Sequence, residues 1–65
     1  MKYFLNGVRV GPAQSVVYVG NRAILSGMDT EEAMGIWKRA SADDEDGEDA
    51  RDILSSFAPD LEIIV

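Results

Sequence analysis

The side chains in this 65-residue chain with the most capacity for chemistry are carboxylates: twelve Asp and Glu stand against six Lys and Arg. Seven of the acids, Asp43, Asp44, Glu45, Asp46, Glu48, Asp49 and Asp52, fall within ten residues. Such a run could bind calcium, pair an acid with a base, or face a cationic partner. The calcium reading fails on register. Gly47 at the sixth position of a calcium loop would put Ala42 at the first and Ile53 at the twelfth, so both the leading carboxylate and the closing bidentate Glu are missing. Acid–base catalysis needs two carboxyl groups held in unlike environments inside a water-excluding cleft, which an exposed acidic run does not provide. The chain has no Cys and no His, which removes disulfides, thiolate or imidazole metal ligands and Ser-His or Cys-His nucleophile pairs. Its six glycines form neither a dinucleotide fingerprint nor a phosphate loop. The expectation is a noncatalytic protein without cofactor or metal.

Recognition of a basic surface remains. Residues 1–28 carry Lys2, Arg9 and Arg22 and no acid, whereas residues 29–65 hold all twelve acids against Lys38, Arg39 and Arg51, so the charges of the two parts are +3 and -9. Like charges at this density must face water or cations. On a helix, carboxylates at i, i+3 and i+4 stand about 5 to 6 Å apart, near the spacing of phosphates along a nucleic-acid strand. Glu45, Glu48, Asp49 and Asp52 could then form a phosphate-like row, extended by Asp43, Asp44 and Asp46. The alternative is a solvated face that keeps a small protein in solution. Direct nucleic-acid binding is not expected, because the six cations are scattered and outnumbered.

The elements that must carry this surface follow from pattern. At 46% hydrophobic and 28% charged residues, the chain reads as one globular domain spanning residues 1–65, with no apolar run near the roughly 20 residues of a membrane span. Lys2–Leu5 and Val8–Val10 flank Asn6-Gly7, a type I′ turn signal. Gly11-Pro12 breaks the ladder. The β-branched run Ser15–Val19, joined through Gly20-Asn21 to Arg22–Ser26, predicts a second hairpin or a bent strand, making the first 26 residues sheet. Asp29, with Glu32 three residues on and Met28 before it, predicts a capping box and staple. Ala33, Ile36, Trp37 and Ala40 form one apolar stripe with Trp37 as core anchor. Ser41–Gly47 reads as loop, followed by a second helix capped by Asp46, with Ala50, Ile53, Leu54 and Phe57 as its stripe and Pro59 beyond its end. Leu61–Val65 reads as a strand pairing with an N-terminal one. The predicted fold class is α+β, an antiparallel sheet of three to five strands with two short helices packed on one face. The segment Met1–Leu5 is too short for a secretory apolar region, so a cytoplasmic protein, monomeric or homodimeric, is expected.

Two resemblances add to this reading. A very short, cysteine-free, acidic α+β chain with a carboxylate run at Asp43–Asp52 resembles the small phage-encoded anti-CRISPR proteins, several of which mimic DNA. That resemblance implies an inhibitor in the bacterial host cytoplasm whose acids, those seven, cover the basic nucleic-acid-binding surface of an effector subunit, with type I complexes as the leading candidate target. Separately, Gly27-Met28-Asp29-Thr30-Glu31-Glu32-Ala33 is similar to the stretch opening a helix after a sheet in HicB-like antitoxins, with Met28 inserted and one residue missing. This implies an acidic module neutralising a small basic toxin.

Overall fold

A computed structural model describes all 65 residues. The order is β1 (Lys2–Leu5), β2 (Val8–Val10), α1 (Pro12–Leu25), α2 (Thr30–Ala40), α3 (Glu45–Phe57) and β3 (Leu61–Ile64). The three strands form an antiparallel sheet in the order β2-β1-β3. Asn6 and Gly7 make the β1–β2 turn at φ of 51° and 79°, the left-handed values a type I′ turn requires at both centres. β3 returns from the far end of the chain to pair with β1, Phe4 opposite Glu62 and Lys2 opposite Ile64, so the last strand finds the N-terminal partner expected of it. Alternation along the strands sends Tyr3, Leu5, Leu61 and Ile63 toward the helices. Lys2, Phe4, Arg9, Glu62 and Ile64 occupy the opposite, open face.

The segment expected as a second hairpin is instead helix α1, which corrects both the sheet assignment of residues 15–26 and the count of two helices. Its β-branched residues favour strands only where a pleated surface receives them. Three local features outweigh that preference. Pro12 occupies the first helical turn, where its fixed φ suits a helix. The Gln14 side chain accepts the Gly11 amide at 3.1 Å, closing the N-terminus. At the other end Gly27 at φ 72° sends its amide to Ile24 O at 3.1 Å while Met28 N–H reaches Ala23 O at 2.8 Å, the paired bonds of a Schellman cap. Ser15, Val19 and Ala23, four residues apart, are fully covered.

Helix α2 begins where expected. Asp29 accepts from the Glu31 amide at 2.9 Å, one position short of the capping-box register, and Met28 packs against the core. Ala33, Ile36 and Ala40 are buried as predicted. Trp37 is half-buried: its ring stacks on Tyr3 at 5.8 Å, and its indole N–H donates to Ser15 Oγ at 2.9 Å. Because Ser15 Oγ also donates to Pro12 O at 2.9 Å, one covered hydroxyl ties α1 to α2. α1 is joined to α3 by Arg22 Nε, which donates to Phe57 O at 3.0 Å. Ala50, Leu54 and Phe57 complete the core from α3, but Ile53 is 43% exposed and leaves the predicted stripe. The result is α+β with three strands and three helices on one face.

Candidate interaction surface

Helix α3 positions the acidic run, and its start differs from the expected one. The N-cap is Asp44, not Asp46: Asp44 Oδ1 accepts the Gly47 amide at 2.7 Å. The loop is correspondingly shorter, and Gly47 lies inside the helix as a buried residue. A Cβ at Gly47 would overlap the Ala42 carbonyl oxygen and stand 2.8 Å from its carbon and 3.0 Å from Arg39 O. Only a glycine lets α3 cross the end of α2 this closely. Arg51 locks the crossing, its Nη1 donating to Ala40 O and Ala42 O, both at 3.0 Å.

This clamp fixes which way the acids face. The buried side of α3 is Gly47, Ala50, Leu54 and Phe57. At 100° per residue, Glu45, Glu48, Asp49 and Asp52 cluster on the opposite side, along about 10 Å of axis. All seven candidates are exposed. The predicted row of four therefore exists, with Asp43 and Asp46 exposed at its N-terminal end. Asp44 is the exception in role, since its carboxylate is engaged in capping.

Some of these acids have work to do within the fold. Glu45, Asp46 and Glu48 lie in the first turn of α3, where the helix dipole favours negative charge. Asp49 and Asp52 lie beyond the first turn, Asp43 precedes the N-cap, and all three are exposed and make no hydrogen bond within the fold. The nearby cations neutralise the patch incompletely. Arg51 is committed to backbone carbonyls, while Lys38 and Arg39 are exposed in the last turn of α2, complementing that helix's own dipole. No three of the acids converge as a group able to hold a metal ion.

Two surface hollows accompany the patch. One of about 140 Å³ lies between α3 and β3, lined by Arg51, Leu54, Ser55, Leu61, Glu62 and Ile63. A wider, open one of about 530 Å³ lies between the hairpin and the start of α1, with Lys2 and Arg9 as its charged side chains and no carboxylate in its lining. Sequence reasoning missed the first because it depends on which edge of the sheet β3 occupies. No helix is long and apolar enough to cross a membrane. The chain matches no protein-family model, no curated protein and no solved structure.

Proposed function

We propose that this protein is a noncatalytic inhibitor of the anti-CRISPR type, phage-encoded and acting in the bacterial host cytoplasm, whose acidic face stands in for DNA phosphates and covers a basic nucleic-acid-binding surface of an effector subunit. The observation that carries the reading is the surplus of charge on and just before α3: Asp43, ahead of the N-cap, and Asp49 and Asp52 within the helix are exposed carboxylates that make no hydrogen bond in the fold, continuous with the first-turn acids. A solubility role needs no such concentration within ten residues of one short segment. The HicB-like alternative loses its context, because Gly27–Ala33 follows helix α1 rather than a strand, and its Gly and Asp are accounted for as a C-terminal and an N-terminal cap.

The test is capture from a CRISPR-bearing host lysate with wild type and with the triple variant Asp43→Asn, Asp49→Asn, Asp52→Asn. The reading expects a nucleic-acid-binding effector subunit on wild type, released steeply between low and physiological salt because separated charges are screened beyond about 8 to 10 Å, and little on the variant. Equal capture by both, or capture indifferent to salt, would refute it.

A further inference from the structure

β3 is an edge strand of the sheet, and its free edge lies beside the acidic helix. Asn6 N–H donates to Asp60 O at 3.1 Å, while Leu61 N–H turns away to Ala58 O at 3.2 Å. With the register Phe4 to Glu62 and Lys2 to Ile64, alternation directs the backbone groups of Glu62 and Ile64 to β1 and those of Ile63 outward. Natural edges are blunted by shortness, charged side chains, Pro, bulges or a covering element; β3 is short and carries Glu62 but has neither Lys nor Pro. Here the strand is Leu-Glu-Ile-Ile, with Ile64 45% exposed and Val65 47% exposed. The 140 Å³ hollow runs along this edge, floored by Leu54, Leu61 and Ile63. On the α3 side, Arg51 and Ser55 line it, and Glu48 and Asp52 occupy the adjoining row of the helix surface, one turn from Ser55 and Arg51. The Arg51 guanidinium is drawn away to the end of α2.

Charge decides what can occupy the edge. A second copy paired β3 to β3 would bring two α3 acidic rows into one neighbourhood, and like charges there repel. A strand carrying cations meets the opposite field. We propose, resting on the acidic-surface reading above, that a basic extended segment of the partner adds to β3 as a fourth strand, its main chain bonded to Ile63 and its alternate Lys or Arg side chains lying across Leu54 and Ile63 toward Glu48 and Asp52. Main-chain bonding supplies attachment and the hollow supplies the preference for a long stem with a charged tip.

The probe is an octapeptide of alternating Lys and Val, titrated into the full-length isotope-labelled protein and followed by amide shifts and hydrogen exchange, with an alternating Glu-Val octapeptide as control. The expected result is shifts at Leu61–Ile64 and Glu48–Ser55, with Ile63 amide exchange slowed by roughly tenfold or more as it gains a partner. The Glu-Val peptide should give neither. A synthetic chain N-methylated at Ile63 keeps every acid and should bind the Lys-Val peptide about tenfold more weakly, as should Glu48→Gln/Asp52→Asn. Unchanged binding by the N-methyl chain alongside weakened binding by the charge variant would overturn strand addition and leave the acidic surface standing. Unchanged binding by the charge variant would overturn the acidic reading with it. An Ile63 amide already protected in the free protein, together with a dimer mass in sedimentation, would assign the edge to a second copy and overturn the proposal.

Discussion

Replacing Gly47 by Ala sets two effects of opposite sign against each other. In an exposed helix interior the substitution stabilises by about 1 kcal/mol, because Ala loses less backbone entropy. At this site the new methyl would overlap Ala42 O and crowd Ala42 C at 2.8 Å and Arg39 O at 3.0 Å. These are backbone atoms that cannot rotate aside, so α3 and the end of α2 must part by about 1 Å or more to restore the roughly 3.5 Å of ordinary contact. Parting them loosens the two Arg51 bonds to Ala40 O and Ala42 O, each worth about 1.5 to 3 kcal/mol as a charge-assisted bond. It also uncovers Ala50, now 1% exposed. Overpacking of this kind costs about 1 to 3 kcal/mol by itself, so after the propensity gain the net loss should be about 3 kcal/mol. A chain of this length is expected to have about 3 to 10 kcal/mol in all. Gly35→Ala is the matched control: its Cβ would meet only the Arg39 guanidinium at 3.8 Å, and it should stabilise by about 0.5 to 1 kcal/mol. Urea unfolding followed by far-ultraviolet circular dichroism and Trp37 fluorescence reads both. A Gly47→Ala midpoint equal to or above wild type would refute the close crossing and, with it, the orientation of the acidic row.

The other substitutions probe the packing and the charge. Tyr18 Oη is buried without a hydrogen-bond partner, so Tyr18→Phe should leave the melting temperature unchanged or raise it by the equivalent of about 1 kcal/mol; a clear drop would mean the hydroxyl is bonded. Phe57→Ala empties a site only 5% exposed and should cost about 3 to 5 kcal/mol, leaving the chain largely unfolded by circular dichroism. Trp37→Ala should cost about 3 kcal/mol, since it removes the stack on Tyr3 and the bond to Ser15 Oγ; a wild-type melting point would make Trp37 a partner contact instead. The triple variant at Asp43, Asp49 and Asp52 removes charges that make no hydrogen bond in the fold and should be as stable as wild type or nearly so; unfolding would mean that these acids hold the structure.

The parts of the fold legible in the sequence are those where a local signal and the tertiary arrangement agree. Asn6-Gly7 specifies its turn whatever surrounds it, and Ala33, Ile36 and Ala40 repeat at a helix period alone. Helix α1 was hidden because Val16, Val17 and Val19 favour a strand, and Gly20-Asn21 imitates a hairpin turn. The contrary signals were present in Pro12 after Gly11, in the four-residue spacing of Ser15, Val19 and Ala23, and in Gly27 followed by Met28 as a helix stop. The acidic run was legible as exposed, because charge at that density admits no other environment. Which of its members cap the helix was not, since Asp43, Asp44 and Asp46 are chemically interchangeable as caps. The close approach at Gly47 selects among them: it pulls residue 47 into the helix and leaves Asp44 three residues before it.

Displacement of DNA tests the central claim most directly. A type I effector complex is loaded with fluorescently labelled target DNA, and release is followed by anisotropy as wild type or the Asp43→Asn/Asp49→Asn/Asp52→Asn variant is added at low and physiological salt. The acidic-surface account predicts that wild type frees the DNA in a salt-sensitive manner and that the equally folded variant does so far less. Equal displacement by the two proteins, or none by wild type, would contradict it.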